Sequence, residues 1–433
     1  MTLTPVSPTV TQDEVREAVH AIARQAKVAS RSLARANRAT KDAALHALAG
    51  ALVAASDEIL DANQIDIERE RNGGMTPGLL DRLTLTSERI ASIAQSLRDV
   101  AGLPDPVGEI VRGSTLPNGL RVRQTRVPLG VVGVIYEARP NVTVDVAGLA
   151  LKSGNAVILR GGSAAGETNG AIVSVLRAAL TSQGLPAELV SSIDDYGRPG
   201  GVELMRARGL VDVVVPRGGA SLIRTVVAES RVPVIETGVG NCHLYVDASA
   251  DVEQAIAILL NGKTQRVGVC NALETLLVHQ DIAESFLPVA LAALGAAGVR
   301  VHADSRTAAL APEGVEIEPV TQEDWATEYL SLDIAAGVVA DIDQALEHIR
   351  TYSSGHTEVI STRDIASADR FTTELDSAAL MVNASSRFTD GGELGLGAEL
   401  GISTQKLHAR GPMGLAELTT TSWIVLGDGH VRP

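Results

Sequence analysis

Apolar positions near the start of the chain recur at helical spacing. Val15, Val19, Ile22 and Ala26 fall three or four residues apart, and Leu45, Leu48, Leu52 and Ile59 follow the same period. The pattern predicts helix across Gln12–Arg71, with Lys and Arg on the solvated faces and a stop at Asn72-Gly73-Gly74. Thr86–Val100 reads as a further helix capped by Thr86 or Ser87. After a Pro/Gly-rich connector, Gly102–Gly108, residues Glu109–Val127 alternate around Pro117-Asn118-Gly119, a hairpin signal. Its charges, Arg112, Arg121, Arg123 and Arg126, require a partner surface or solvent. From Val127 onward, apolar runs of strand length alternate with helical periods. Gly130–Tyr136, Asn155–Arg160, Leu189–Ile193, Val211–Val215 and Pro233–Glu236 read as strands. Thr143–Lys152, Thr168–Thr181 and Ser221–Glu229 read as helices. This is the pattern of an open α/β sheet. A second α/β set begins after Asp247, with helices at Asp251–Leu260, Ala283–Leu294 and Asp341–Thr351. The tail from Gly411 to Val425 reads as a turn, a short helix and an extended end.

Open α/β sheets bind ligands beyond the carboxyl ends of their strands. Those ends here are Arg139-Pro140-Asn141, Arg160-Gly161-Gly162-Ser163, Pro216-Arg217-Gly218-Gly219 and Glu236-Thr237-Gly238. All are rich in Gly, Pro or Arg, as close approach to a phosphate-bearing ligand requires. No Gly-x-Gly-x-x-Gly follows the first strand, and there is no Walker loop. The nine histidines are scattered, so no metal is expected.

The chain has 433 residues, 45% of them hydrophobic, enough for two or three domains. A net charge of −15 and 2% aromatic residues argue against a nucleic-acid partner, while a local basic pocket for an anionic small molecule stays open. Two cysteines make no disulfide framework, and a reducing cytoplasm is expected. Met1–Val10 has no leader pattern, and the longest apolar stretch, Val289–Val301, is too short to span a membrane.

One cysteine lies in Lys263–Val278. Lys263 and Arg266 precede Cys270, and the apolar run Leu273–Val278 follows it as a buried helix or strand. A nearby cation or a helix N-terminus would favour the thiolate. The other reading is a small buried hydrophobe, as for Cys242 in Gly240-Asn241-Cys242-His243.

Taken in order, Arg139-Pro140-Asn141, Arg160-Gly161-Gly162-Ser163, Glu236-Thr237-Gly238, Cys270 and Glu328-Tyr329-Leu330 resemble the aldehyde dehydrogenase superfamily. Closer still, Tyr136–Thr143, Thr264-Gln265-Arg266, Cys270–Thr275 and Ser353-Ser354-Gly355-His356-Thr357 resemble its γ-glutamyl phosphate reductase family. The resemblance spans nearly the whole chain. It implies NADPH-dependent reduction of γ-glutamyl phosphate to glutamate-5-semialdehyde in proline biosynthesis, with the kinase that makes the acyl phosphate on a separate protein. Cys270 would be the nucleophile and Asn141 the oxyanion donor, though Asn141 also suits a plain turn. Glu236 would be either a base or a strand-end carboxylate on the cofactor. Arg160, Gly161, Gly162, Ser163, Arg217, Gly218, Gly219 and Glu328 would hold the cofactor, with NADP preferred because no carboxylate stands at Ser163. Arg139, Lys263, Arg266 and His356 are candidates for the substrate's anionic groups, or for structural ion pairs.

The expected architecture is an aldehyde-dehydrogenase-like α/β fold in three parts: an NADP-binding domain (1–112 and 132–236), a catalytic domain (237–400), and an oligomerisation flap from a hairpin (113–131) and tail (401–433). A homodimer or larger homo-oligomer is expected. An ordinary or CoA-acylating aldehyde dehydrogenase, or a catalytically silent relative, are the rival readings.

Overall fold

A computed structural model describes residues 11–432. The stretch Met1–Val10 lies outside them. The expected helix over Gln12–Arg71 is three: α1 (Gln12–Leu33), α2 (Arg38–Ala54) and α3 (Ser56–Asn72). Helix α1 opens on a capping box in which Thr11 and Glu14 satisfy each other's backbone N–H groups. Asn37 caps α2 through the Thr40 N–H at 2.9 Å. Between α2 and α3 the axis bends by 66° with no side-chain cap at Ala55, so apolar period alone does not reveal the break. Helices α4 (Pro77–Leu83) and α5 (Ser87–Gly102) follow. Two fully buried lysines tie this layer: Lys41 meets Asp105 at 2.8 Å, and Lys152 meets Asp42 and the Ala101 carbonyl.

Contacts divide the chain into two units. The first runs to Glu236 and adds Leu396–Leu400 and the tail from Met413. The second is Thr237–Gly395 with Gly401–Pro412.

In the first unit, the hairpin is β1 (Ile110–Thr115) and β2 (Arg121–Pro128). Its turn closes by the Gly119 N–H on the Leu116 carbonyl, with Gly119 at φ +91°. The chain then runs β3 (Val131–Tyr136), α6 (Pro140–Lys152), β4 (Ala156–Arg160), α7 (Gly166–Ser182), β5 (Val190–Ser192), α8 (Gly197–Arg206), β6 (Val213–Arg217) and α9 (Ala220–Glu229). The parallel sheet has the order β5-β4-β3-β6. The strand expected at Pro233–Glu236 is only an isolated bridge, Val234 to Val214, because the chain leaves the sheet after Ile235.

The second unit holds β7 (Cys242–Val246), α10 (Val252–Thr264), β8 (Leu273–His279), α11 (Gln280–Ala296), β9 (Arg300–Ala303), α12 (Ser305–Ala309) and β10 (Ile317–Pro319). It continues with β11 (Asp333–Val339), α13 (Ile342–Tyr352), β12 (Thr357–Ser361), α14 (Ile365–Glu374) and β13 (Ala379–Val382). These strands form a parallel sheet, β10-β9-β11-β8-β7-β12-β13. The run Leu273–Val278 is thus a strand. Leu276 and Val278 pack into one cluster and Leu277 into the other, so both faces are covered and the run needs no polar alternation.

The tail does not act as one piece. A small pair, β14 (Ile402–Ser403) and β15 (Gly411–Pro412), belongs to the second unit, whereas β16 (Thr419–Leu426) pairs with β2 along its length. No helix forms there. The hairpin and β16 group with the first unit rather than as a third part. No single helix among the described residues is long and apolar enough to cross a membrane.

Candidate active site

In the first unit the chain reverses at β3: β4 and β5 lie to one side of it and β6 to the other. Such a switch point leaves a crevice at the carboxyl ends. A cavity of about 480 Å³ lies there, and Tyr136, Glu137, Arg160, Gly162, Arg198 and Ser221 are among its walls. Gly161 donates its N–H to Asp194 at 2.6 Å and leaves no room for a Cβ, which would lie 2.2 Å from the Asn169 amide nitrogen. Ser163 is exposed and opens a short turn whose carbonyl accepts from Arg69. Arg217 ends β6. Gly219 then donates its N–H to the Glu137 carboxylate at 2.8 Å, so an anionic group already sits at the start of α9.

Asn141 lies on the first turn of α6, after Pro140, and is exposed. Its amide donates to Asp145 at 3.2 Å, one turn further on. Burial pushes the Asp145 carboxyl up to about 6, while the Asn141 hydrogen bond and the Arg217 charge draw it back. Arg139 and Glu236 are half-buried.

In the second unit the cysteine loop runs from the end of α10 to the amino end of β8. Cys270 is half-buried in a turn closed by the Ala272 N–H on the Val269 carbonyl. No helix begins between the end of α10 at Thr264 and the start of β8 at Leu273. The loop is pinned on both sides. Cys242 is fully buried, its thiol 3.2 Å from the Cys270 carbonyl oxygen, and burial pushes that thiol well above its ordinary value. A Cβ on Gly240 would lie 1.4 Å from the same oxygen, so only glycine admits this loop. Asn271 donates to the carbonyls of Thr389 and Arg387 and accepts from Ser386. Arg387 is thereby brought to the loop, where its guanidinium donates to Gln265 at 2.8 Å. Burial lowers the Arg387 pKa; Arg266 and the Cys270 sulfur both act on it electrostatically. Arg387, half-buried, thus lies within electrostatic reach of both the Cys270 sulfur and the exposed Arg266.

Lys263 is elsewhere. It is fully buried and pairs with Glu274 at 2.5 Å. Burial pushes Glu274 up to about 7 and Lys263 down. The expectation of a substrate contact gives way to a structural pair, because the last turn of α10 points this side chain inward. His356 is also fully buried, beside Thr357 and Cys242. Glu328 accepts from the Gly240 N–H at 2.8 Å and so buttresses the cysteine loop; burial raises its pKa.

The structure thus gathers Arg160 and Gly162 at one cavity and Arg217–Gly219 about Glu137. It sets Cys270 and Arg266 within electrostatic reach of Arg387, and holds Lys263 and His356 in the interior. The sequence reading missed Arg198, Arg387, Asp145 and Glu137. The i, i+4 spacing of Asn141 and Asp145 was a readable signal; nothing local marked Arg387. Among the described residues no group of three or more His, Cys, Asp or Glu is placed to hold a metal ion.

Comparisons with known proteins complete the picture. Residues 6–327 match the model of the Aldehyde dehydrogenase family. The chain is 63% identical over 433 residues, 100% of both chains, to the gamma-glutamyl phosphate reductase of Kineococcus radiotolerans. It is 58% identical to that of Thermobifida fusca, over 97% of this chain and all of the relative. The crystal structure of gamma-glutamyl phosphate reductase from Thermotoga maritima superposes with a TM-score of 0.93 at 47% identity, covering 96% of this chain and 100% of that one.

Proposed function

The chain belongs to the aldehyde dehydrogenase family, and on that premise we propose that it reduces L-γ-glutamyl 5-phosphate to L-glutamate 5-semialdehyde with release of phosphate, a step of proline biosynthesis. The observation that carries the reading is a half-buried thiol on a loop tied by Asn271 to the Arg387 segment, whose guanidinium lies within electrostatic reach of the Cys270 sulfur. A guanidinium beside the reacting thiol suits a phosphate leaving group.

Cys270 attacks the γ-carbonyl carbon; the C–O bond to phosphate breaks and a thioester remains. Reduction of that thioester gives a thiohemiacetal, which collapses to the aldehyde and frees the thiolate. NADPH, when bound, supplies the hydride. The cavity in the first unit fits such a dinucleotide: Arg160 and Arg198 line it, and no carboxylate stands at Ser163 to repel a 2′-phosphate. Gly161, Gly162, Arg217, Gly218 and Gly219 let the backbone approach the pyrophosphate, with Glu137 giving up the Gly219 N–H. Glu328 orients the cysteine loop or the nicotinamide ribose. Twice in the cycle the carbonyl oxygen becomes an oxyanion. Asn141 donates to it, a contact worth roughly 10²–10³ in rate. Arg139 is a further contact for the substrate carboxylate. Glu236 is not required as a base, since phosphate rather than water is the acyl partner.

The protein works in the cytoplasm as a homo-oligomer. Among the described residues β16 has β2 as its one neighbour, and it exposes Trp423, Val425 and Leu426.

The test is a steady-state assay with glutamate semialdehyde, varying phosphate against arsenate and NADP against NAD. Phosphate-dependent oxidation faster with NADP is expected. Coenzyme A in place of phosphate would point to a CoA-acylating enzyme, and inactivity with every combination would remove the assignment.

A further inference from the structure

Asp145 is unusual among the buried or half-buried carboxylates of the first unit. Asp66 has Arg69 at 2.6 Å and both the N–H and hydroxyl of Thr168. Asp105 has Lys41 at 2.8 Å, and Asp212 has Lys27 and the Val131 N–H. Asp194 accepts from Gly161 and Asn169. Asp145 accepts one long bond, 3.2 Å, from the Asn141 amide, through one oxygen. It forms no ion pair among the described residues, and Arg217 is the one cation that acts on it. A carboxylate taken partly out of water without a paired cation is unstable in that state, which explains why burial raises its pKa. Such a group is suited to a cation that arrives with a ligand.

We propose that Asp145 receives the α-ammonium group of the amino-acid substrate, using the carboxylate oxygen that Asn141 leaves open. This rests on the reaction proposed above. There, Asn141 binds the oxygen of the reacting carbonyl. In a γ-glutamyl group the α-nitrogen lies four bonds from that carbonyl carbon, a reach of at most about 5 Å at ~1.5 Å per bond. One helical turn separates Asn141 from Asp145, and their side chains already touch. A single substrate can therefore engage the amide at its reacting end and the carboxylate at its amino end. The contact selects for a primary ammonium group over a des-amino chain of equal length.

The experiment compares L-glutamate 5-semialdehyde with glutarate semialdehyde, which lacks the amino group, in phosphate-dependent oxidation by the full chain and its Asp145→Asn variant. The isosteric amide keeps the shape, and a thermal melt verifies the fold. Expected is a loss of roughly 10–100-fold in kcat/KM for glutamate semialdehyde, mostly in KM, with glutarate semialdehyde changed by less than about threefold. Equal losses on both substrates would make Asp145 a positioning residue for Asn141 and overturn the proposal, as would no loss on either. Wild-type inactivity on both aldehydes would instead strike at the reaction itself.

Discussion

Both units lay helices on a parallel sheet, yet they gather their chemistry at opposite ends of it. In the first, the cavity opens at the carboxyl ends of β3 and β6, where α9 begins and offers the Gly219 N–H to an anion. In the second, Gly240, Cys270 and His356 all stand before the amino ends of β7, β8 and β12, and the helix that leads into the cysteine loop ends at Thr264. The usual preference for carboxyl ends follows from helix N-termini, whose partial positive charge lies there. At the amino ends the helix termini carry the opposite sign. Positive charge must then come from side chains, and Arg387 lies within electrostatic reach of the Cys270 sulfur. Under the proposed function, the first unit would read phosphate partly through backbone and the second through guanidinium.

The largest effect that would sharpen this contrast is Cys270→Ala. Reductase activity should fall by about 10⁴-fold or more. NADPH affinity, followed by fluorescence titration, should stay within about twofold, because the cavity residues all belong to the first unit. A variant that still turned over would break the assignment. Next comes Lys263→Met, measured by urea unfolding at pH 8. Losing one partner of a fully buried pair costs about 3 kcal/mol, and a second change, Glu274→Leu, should restore most of it. If Lys263→Met left stability intact but raised the KM for the acyl substrate, Lys263 would be a ligand after all.

Two arginines set the units against each other directly. Arg387→Ala should raise the KM for phosphate roughly 10–100-fold in the oxidative direction while leaving NADP alone, and Lys at this position should recover little, since it lacks the planar fork. Arg198→Ala should do the converse, raising the KM for NADPH about tenfold with little change for NADH. Crossed effects would mean that the two phosphate sites are not separate.

What the sequence revealed follows the range of its physics. Apolar runs such as Gly130–Tyr136 and Leu273–Val278 are local signals, and they became strands or their cores. The bend at Ala55 was silent because an apolar stripe continues on both sides of it. Arg387 lies 117 residues beyond Cys270 in the chain, and tertiary hydrogen bonds draw it in: from Asn271 to its carbonyl and that of Thr389, from Ser386 to Asn271, and from its own guanidinium to Gln265. Lys263 looked like a cation aimed at the thiol because sequence distance does not tell which way the last turn of a helix faces; the buried Glu274 decides that.

The smallest expected effect concerns Asp145, and it separates a carboxylate built for a ligand from one built for the fold. In the unfolded chain this carboxyl titrates near 3.8, and in the folded protein at about 6. Below about pH 3 both states hold the proton and nothing distinguishes them. As pH rises to 6 the unfolded state gives it up first, so the folded state loses stability, and above about 6 the loss is complete. Asp145→Asn lacks this titration. Its stability relative to the parent should therefore grow from near nil at pH 3 to about 1–2 kcal/mol at pH 7, an amount discounted for the partial exposure of the group. Chemical denaturation at the two pH values, without substrate, measures it. A variant more stable yet worse at binding an amino-acid aldehyde is what a carboxylate awaiting an ammonium group requires. A variant less stable at pH 7 would show that Asn141 and Arg217 already satisfy Asp145 and that its place on α6 serves packing.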